Sequence, residues 1–547
     1  MRAILAIMLL AVALGLARGA EPSTGLLRGG GSALGTNSGS GTAPAPPRES
    51  VEAAQVGPAA GRTIRVPVGG DLQAALRAAA PGDQIALQAG ASFEGPFKLP
   101  RKSGAGWIVV KTDAPERALP PPGTRIDPSR APAMPKLVAA SDSVIVAEEG
   151  AHHYRFVGLE IRPKEGAFLV NLVLLGASER TLEALPHHIV FDRCWLHGDP
   201  KRGARRGIAM NSRNTAVVDS WLSDFKEAGA DSQAIASWNG DGPFAIMNSH
   251  LEAAGENVMF GGADPAIPDL VPSDIEILRN HFTKPLSWKP GEPGFEGTAW
   301  TVKNLFELKN ARRVRVKGNL FENNWAAAQG GFAILFTVRN QDGGAPWSVV
   351  EDVTFANNLV RHAASGVNIL GRDDVGGTSE QTRRILISGN LFYDVGGARW
   401  GGKGILVQIL NGTADVIIEH NTAFQTGSII MAEGAAHTGF VFRDNIAPHN
   451  EYGIAGTGAG TGRPALAQYF PGSVVRGNVI VGGRAGLYPA GNFFPSSADS
   501  AGLVPFDRGG WRLAASSPLR GKGTDGRDPG ADPEAILSAL GEPRLPS

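Results

Sequence analysis

The chain has 547 residues, of which 73 are glycine and 38 proline, and its 52 basic residues balance 52 acidic ones. Zero net charge offers no basic excess to condense on nucleic acid, the glycine follows no Gly-X-Y period, and a 42% hydrophobic content is too apolar for disorder throughout. Many glycines with few charges predict short strands joined by tight turns, and the single cysteine, Cys194, excludes intramolecular disulfides.

Residues 1–20 have the pattern of a secretory signal. Arg2 gives a positive start, Ile4 to Leu16 is apolar, and Ala17, Gly19 and Ala20 supply a small-residue exit. A membrane anchor is the alternative, but the apolar run is short for a permanent span. No later segment offers about 18 uninterrupted apolar residues. The expectation is therefore a soluble, monomeric chain in the periplasm, at the cell surface or in the medium. Residues 21–61 are rich in Gly, Ser, Ala, Pro and Thr, and predict a flexible tether.

The pattern changes at Thr63. Ile64, Val66 and Val68 alternate as a strand. Asp71 is placed to N-cap a short helix with Leu72, Ala75, Leu76 and Ala79 on one face, and Pro81-Gly82-Asp83 ends it. One amphipathic helix followed only by strands suits the open end of a stacked sheet, where it covers an edge that would otherwise template aggregation.

From about Tyr154 a unit repeats: alternating apolar residues, a small polar turn residue, then another apolar pair. Examples are VRVKGNLF ending at Phe321, VTFANNLV ending at Val360 and ILISGNLF ending at Phe392. The anchor column runs Cys194, Ser220, Ser249, Asn280, Asn319, Asn358, Asn390, Asn421, Asn445, Asn478, with spacings from 24 (Asn421 to Asn445) to 39 (Asn280 to Asn319). Such units bury their apolar face only by stacking. A column of Asn at an inward turn then satisfies each amide from coil to coil. Cys194 is expected to be a small buried member of that column, without a catalytic role. The cap DLQAALRAAAPGDQIALQAG followed by the Asn-anchored repeat resembles the right-handed parallel β-helix superfamily of pectate-lyase-like proteins. It implies an all-β, single-stranded right-handed solenoid with a short N-terminal capping helix over residues 62–525, leaving 526–547 as a C-terminal tail. Lyases, hydrolases, epimerases, tailspikes and adhesins share that scaffold, so the fold alone does not choose a function.

Aligning the strands that follow the Asn turns places chemistry. NLFELKN (304–310) set against ILFTVRN (334–340) matches Phe306 with Phe336 and Leu308 with Val338 inward. Outward, it matches Glu307 with Thr337 and Lys309 with Arg339. Later coils add Asn368 and Gln408 outward, and earlier ones Glu256, Asn257 and, at the end of AIASW, Trp238. Two stacked cations are costly unless an anion or carboxylate lies between them. A lyase on a uronic-acid polysaccharide needs a cation to hold the substrate carboxylate and a base for the α proton, and an adjacent Arg disfavours the protonated form of a Lys. Glu256, Asn257 and Glu307 carry oxygens of the kind that bind Ca²⁺, and Asn368, Gln408 and Trp238 are candidate contacts for an anionic polysaccharide.

The order Glu307, Lys309, Asn319, Gln329-Gly330, Arg339 resembles chondroitinase B and the related alginate lyases of polysaccharide lyase family six. The resemblance implies Lys309 as base, Arg339 as acid or carboxylate partner, and Glu307 as a Ca²⁺ ligand. Glu307 stands closer to Lys309, and Gln329-Gly330 farther from Arg339, than the family pattern has them, and a second acidic ligand has no matched position.

Other readings stay open. The outward charges can be a solvated face, leaving a non-catalytic glycan-binding or surface solenoid. Asp373-Asp374 could act as a hydrolase pair, though Asp-Asp beside Gly is more often a loop. His152-His153 and His187-His188 precede strands, where turn capping is expected over metal binding. Asn411-Gly412-Thr413 matches a glycosylation acceptor. Trp288, Trp300, Trp325, Trp347 and Trp400 could stack on sugars or pin long loops. The excess length after Phe260 and Phe282 falls at the coils of the Lys/Arg column, as functional loops do.

Overall fold

The computed structural model describes residues 41–51, 61–504 and 512–541. The segment read as a signal lies outside them, as does most of the tether. No described helix is long and apolar enough to cross a membrane.

Strand follows strand with a turn too short for a return, so each pairs not with its chain neighbour but with the equivalent strand one coil away. Three parallel sheets result, of 14, 13 and 13 strands among the described residues. Sheet A runs from Thr63–Val66 to Val474–Arg476, sheet B from Ser92–Glu94 to Val479–Val481, and sheet C from Phe97–Leu99 through Ile454–Gly456 to a last strand, Gly460–Thr461, that pairs antiparallel where all the others are parallel. One coil is Ala311–Lys317 in A, Leu320–Asn324 in B and Phe332–Thr337 in C, before the chain re-enters A at Val350–Ala356. Parallel crossovers of this kind are right-handed, and the chain is a right-handed parallel β-helix. Its apolar interior is one continuous core from Val66 to Tyr488. The helix Leu72–Ala78 closes the first coil, with the Asp71 side chain accepting the Ala74 N–H at 2.8 Å and Leu72, Ala75 and Leu76 buried.

The anchor column forms as expected. At each A-to-B turn the main chain leaves the sheet, and its N–H needs a new acceptor. The Asn280 N–H donates to Asn319 Oδ1 at 2.9 Å, Asn319 to Asn358 at 2.9 Å, Asn358 to Asn390 at 2.9 Å, and Asn390 to Asn421 at 3.0 Å. Each Nδ2 also donates back across the coil, as Asn358 does to the Val316 carbonyl at 3.1 Å. Ser220 and Ser249 continue the ladder downward with their hydroxyls, and it ends upward at Asn492. Cys194 starts it, its N–H donating to Ser220 Oγ. Full burial pushes its thiol up to about 12, so it stays protonated and inert.

Two terminal segments depart from expectation. Residues 41–51, inside the stretch read as a tether, lie against sheet A. The Ala45 N–H donates to Asp352, the Arg48 N–H to Asp274, and Val51 packs with Val190, Ala216 and Ala245. Proline-rich chain stays extended without internal hydrogen bonds, so its free N–H groups can pair with outward carboxylates. The stretch read as a tail holds a helix, Pro533–Leu540, N-capped by Asp532, whose Ile536 covers Leu320, Leu359 and Leu391 on the outside of sheet B. Those outward leucines are what a helix needs to bury.

Replacing one ladder rung tests this architecture. Asn358→Leu removes an acceptor for two N–H groups of Asn319 and leaves buried donors unpaired. It should cost roughly 3 kcal/mol in urea unfolding, with Asn358→Ser losing less because its hydroxyl still accepts.

Candidate functional site

The outer face of sheet C carries a groove of about 250 Å³ lined by Glu307, Lys309, Gln329, Thr337, Arg339 and Asn368, with Phe332, Leu335, Leu370 and Leu410 as its apolar floor. Glu307, Lys309 and Arg339 thus share one concavity.

The register differs from the sequence alignment. Phe306 pairs with Ile334, Glu307 with Leu335 and Leu308 with Phe336, two residues earlier than the alignment of NLFELKN with ILFTVRN. A two-residue slip keeps every side chain on its face, so alternation cannot detect it. The outward column is therefore Glu307, Leu335, Asn368, Gln408, and Lys309 and Arg339 are not strand partners. The Arg339 N–H donates to the Lys309 carbonyl at 2.9 Å, and their side chains serve different carboxylates.

Lys309 Nζ lies 3.9 Å from Glu307 Oε1, with the two side chains 16% and 3% exposed. Glu307 accepts from Asn304 Nδ2 at 2.9 Å and Thr337 Oγ1 at 3.2 Å. The charge beside Lys309 is thus a carboxylate and not the expected guanidinium. Arg339, 25% exposed, donates from Nη1 to Asp373 Oδ1 at 2.7 Å and also to Asp374. Burial works against the guanidinium charge, but the two carboxylates outweigh it and hold Arg339 above its ordinary value. Both bonds use Nη1, which leaves Nε and Nη2 for a ligand. Burial likewise opposes the Asp373 charge, yet the N–H groups of Val375, Gly376 and Asn340 and the Arg339 pair keep its carboxyl below the ordinary value. An ionised, fully engaged Asp373 is unsuited to be the raised-pKa acid of a hydrolase pair.

The remaining expected residues are dispersed. Asn368 lines the groove and donates to Gln408 Oε1 at 3.3 Å, and Gln408 donates onward to Glu433, one coil beyond the lining. Trp238 does not line the groove. It sits on an earlier coil under the Arg206 guanidinium, 5.0 Å from its ring centre. Glu256 is fully buried, accepts from Gln233 at 2.7 Å and pairs with Lys303 at 3.2 Å. Burial first, then the charges of Glu307 and Asp231, raise its pKa. Asn257 turns into the core. Its Nδ2 donates to the Leu251 and Thr283 carbonyls, and its Oδ1 accepts from Lys284 Nζ.

The donor set does not fit Ca²⁺. Of the three expected ligands, Asn257 faces inward onto an ammonium, Glu256 is neutralised by Lys303, and the Glu307 oxygens are taken by Asn304 and Thr337. Ca²⁺ needs six to eight oxygens, and the chain supplies lysine cations where such a site would gather them.

Sequence reasoning missed Lys284 and Lys226. Lys284 Nζ, fully buried, donates to the carbonyls of Ala253, Ala254, Gly255 and Asn304 and to Asn257 Oδ1, all at 2.8–3.0 Å. Burial pushes its ammonium down to about 7, while five acceptors and no donor around it favour the charged form. Lys226, also fully buried, pairs with Asp224 and Glu296 and lies 4.9 and 5.2 Å from the rings of Trp288 and Trp300. Trp288, Trp325 and Trp400 pack together with Val302, and Trp347 Nε1 donates to the Leu270 carbonyl. These tryptophans pin the long loops. The sequence signal for each lysine is slight: it is the residue directly after a strand of sheet B, Trp221–Phe225 or His281–Thr283.

No protein-family model matches the chain, and no curated protein matches it in sequence. Among solved structures it is similar to an alginate lyase from a Paenibacillus species at 15% identity, covering 65% of this chain and 99% of that one, with a TM-score of 0.39. A family-six alginate lyase is similar at 13% identity over 79% of this chain and 53% of that one, about half its length, with a TM-score of 0.40. The catalytic unit of an α-1,3-glucanase from Streptomyces thermodiastaticus is similar at 13% identity over 82% and 72%, with a TM-score of 0.46. At these scores none of the three carries an argument about activity.

Lys284→Met should leave five buried oxygens without their donor and lower stability by about 3 kcal/mol, read by thermal or urea unfolding. A pH series tests the neighbouring Glu252, whose carboxyl burial raises to about 7. Between its unfolded value, about 4.5, and 7 the folded chain binds the extra proton, so stability falls as pH rises. Glu252→Gln should flatten that fall in a series of melts from pH 4.5 to 7.5. Its three stacked sheets of parallel strands make the chain a right-handed parallel β-helix with a charged groove on its third sheet.

Proposed function

We propose that the groove on sheet C binds an anionic polysaccharide and cleaves it by β-elimination. The observation that carries this reading is the convergence of Lys309, Arg339 and Glu307 in one groove with neutral polar partners, Gln329, Thr337 and Asn368. In the reaction a base takes the proton at the carbon bearing the uronate carboxylate. The C–H electrons form a double bond, and the glycosidic C–O bond on the adjacent carbon breaks. Lys309 is the base. Arg339, fixed through Nη1 by Asp373 and Asp374, presents Nε and Nη2 as a planar fork suited to a carboxylate, and so stabilises the enolate-like charge. The leaving oxygen takes its proton from solvent or from the protonated Lys309. The apolar floor of Leu335, Leu370 and Leu410 suits the face of a sugar ring.

A second reading has its own support. Glu307 beside Lys309 and two aspartates on Arg339 offset both cations, which suits a binding groove without chemistry. It predicts glycan binding with no product.

Alginate, pectate and chondroitin sulfate, each with and without added Ca²⁺, are the substrates to assay for unsaturated product in the ultraviolet. Turnover on at least one is expected, unaltered by chelator, and Lys309→Ala should lower kcat/KM by about 100-fold or more. Binding without product on every uronate polymer would favour the second reading, and absence of both would remove the polysaccharide assignment.

A further inference from the structure

Four imidazoles meet on sheet A, remote from the groove on sheet C. His152 and His153 begin the strand His152–Val157, His187 and His188 begin His187–Asp192, and the two strands are paired neighbours with His152 opposite His187. The positive φ of His153 (59°) and His188 (54°) turns the second ring of each pair back toward the first. Each pair then closes an Nδ1···Nδ1 contact, 2.8 Å in the first coil and 2.7 Å in the second. The coil repeat stacks ring on ring: His152 over His187 at 4.8 Å and 7°, His153 over His188 at 4.4 Å and 4°. Trp107 closes one side edge-on.

This exceeds what turn capping requires. Nδ1 facing Nδ1 is attractive only if one of the two carries a proton and the other a lone pair. His152 Nε2 lies 2.9 Å from the Lys102 carbonyl, which can only accept, so the proton of neutral His152 is on Nε2 and its Nδ1 is a lone pair. A ring nitrogen tied to a backbone carbonyl while the other faces a cluster is the outer support that orients metal-binding histidines. One nitrogen from each of His153, His187 and His188 lies within 4.8 Å of the others. Donors around one tetrahedral ion with bonds of about 2.0–2.1 Å stand roughly 3.3 Å apart, so binding an ion would draw these rings closer together. The next residue in the column, Arg213, has its charge turned to Asp241 at 3.4 Å.

We propose that His153, His187 and His188, oriented by His152, bind one divalent transition-metal ion of the Zn²⁺ class and staple two adjacent coils. An all-imidazole set selects Zn²⁺, Cu²⁺ or Ni²⁺ and rejects Ca²⁺ and Mg²⁺, which require oxygen. Three protein nitrogens leave a fourth position for water.

The test uses the full chain without a histidine tag, stripped with chelator and titrated with ZnCl₂ by calorimetry. One Zn²⁺ per chain is expected, with a melting temperature that climbs with Zn²⁺ concentration and no response to CaCl₂. His187→Gln/His188→Gln should weaken binding at least tenfold while far-UV circular dichroism is unchanged. Should that double variant not fold, His153→Gln gives the same reading, and the Cu²⁺ electron paramagnetic resonance spectrum of the unaltered chain should show nitrogen hyperfine splitting. No saturable Zn²⁺ binding, or equal affinity in the histidine variants, overturns the proposal.

Discussion

Where each coil leaves sheet A for sheet B, the backbone N–H of the turn residue has lost its sheet partner while buried under the next coil. The amide or hydroxyl oxygen of the equivalent residue one coil on is what accepts it, from Cys194 through Asn478 to Asn492. An unmade bond there costs about 1–3 kcal/mol, and the turn recurs coil after coil. The ladder also fixes how coils stand over one another, because each amide must reach its neighbour within about 3 Å. The columns on the outer faces, including the one that forms the groove, inherit their alignment from it.

With the coils aligned, the charges are settled locally. Lys284 fills a cage of carbonyls at the turn behind the groove, and Lys226 holds a loop carboxylate and two indole faces at once. Lys303 lies between Asp231 and Glu256, where burial opposes its charge but the carboxylates outweigh it and hold it above its ordinary value. These lysines take the place that a metal ion would hold among the same oxygens. They tie together loops and turns of the coils that precede the groove and do not line it.

The anchors were legible in the sequence because a ladder residue must be small or an amide at one repeated position, and no other role repeats a single polar residue through an apolar pattern. The capping helix was legible for a similar reason, since Asp71 and the spacing of Leu72, Ala75 and Leu76 are local. The column of Lys309 over Arg339 was not. A strand shifted by two residues keeps its alternation, so only the stacked coils distinguish Leu335 from Thr337 as the partner above Glu307. The inward turn of Asn257 and the engagement of Asp373 and Asp374 by Arg339 depend on contacts between residues 27 and 34 or 35 positions apart.

By itself the sequence determined the class of the protein: a stacked, strand-only solenoid with a helical cap and an amide spine, because these are written in period, turn chemistry and repeat. It also named five of the groove's polar residues, Glu307, Lys309, Thr337, Arg339 and Asn368, since outward polar positions follow from alternation. Only the tertiary structure decided which of them meet. It set Lys309 against Glu307, tied Arg339 to two aspartates, withdrew Asn257 into the core, and gathered four histidines from two coils. Those outcomes are long-range, and they depend on register and on the neutralisation of buried charge, neither of which leaves a periodic trace along the chain.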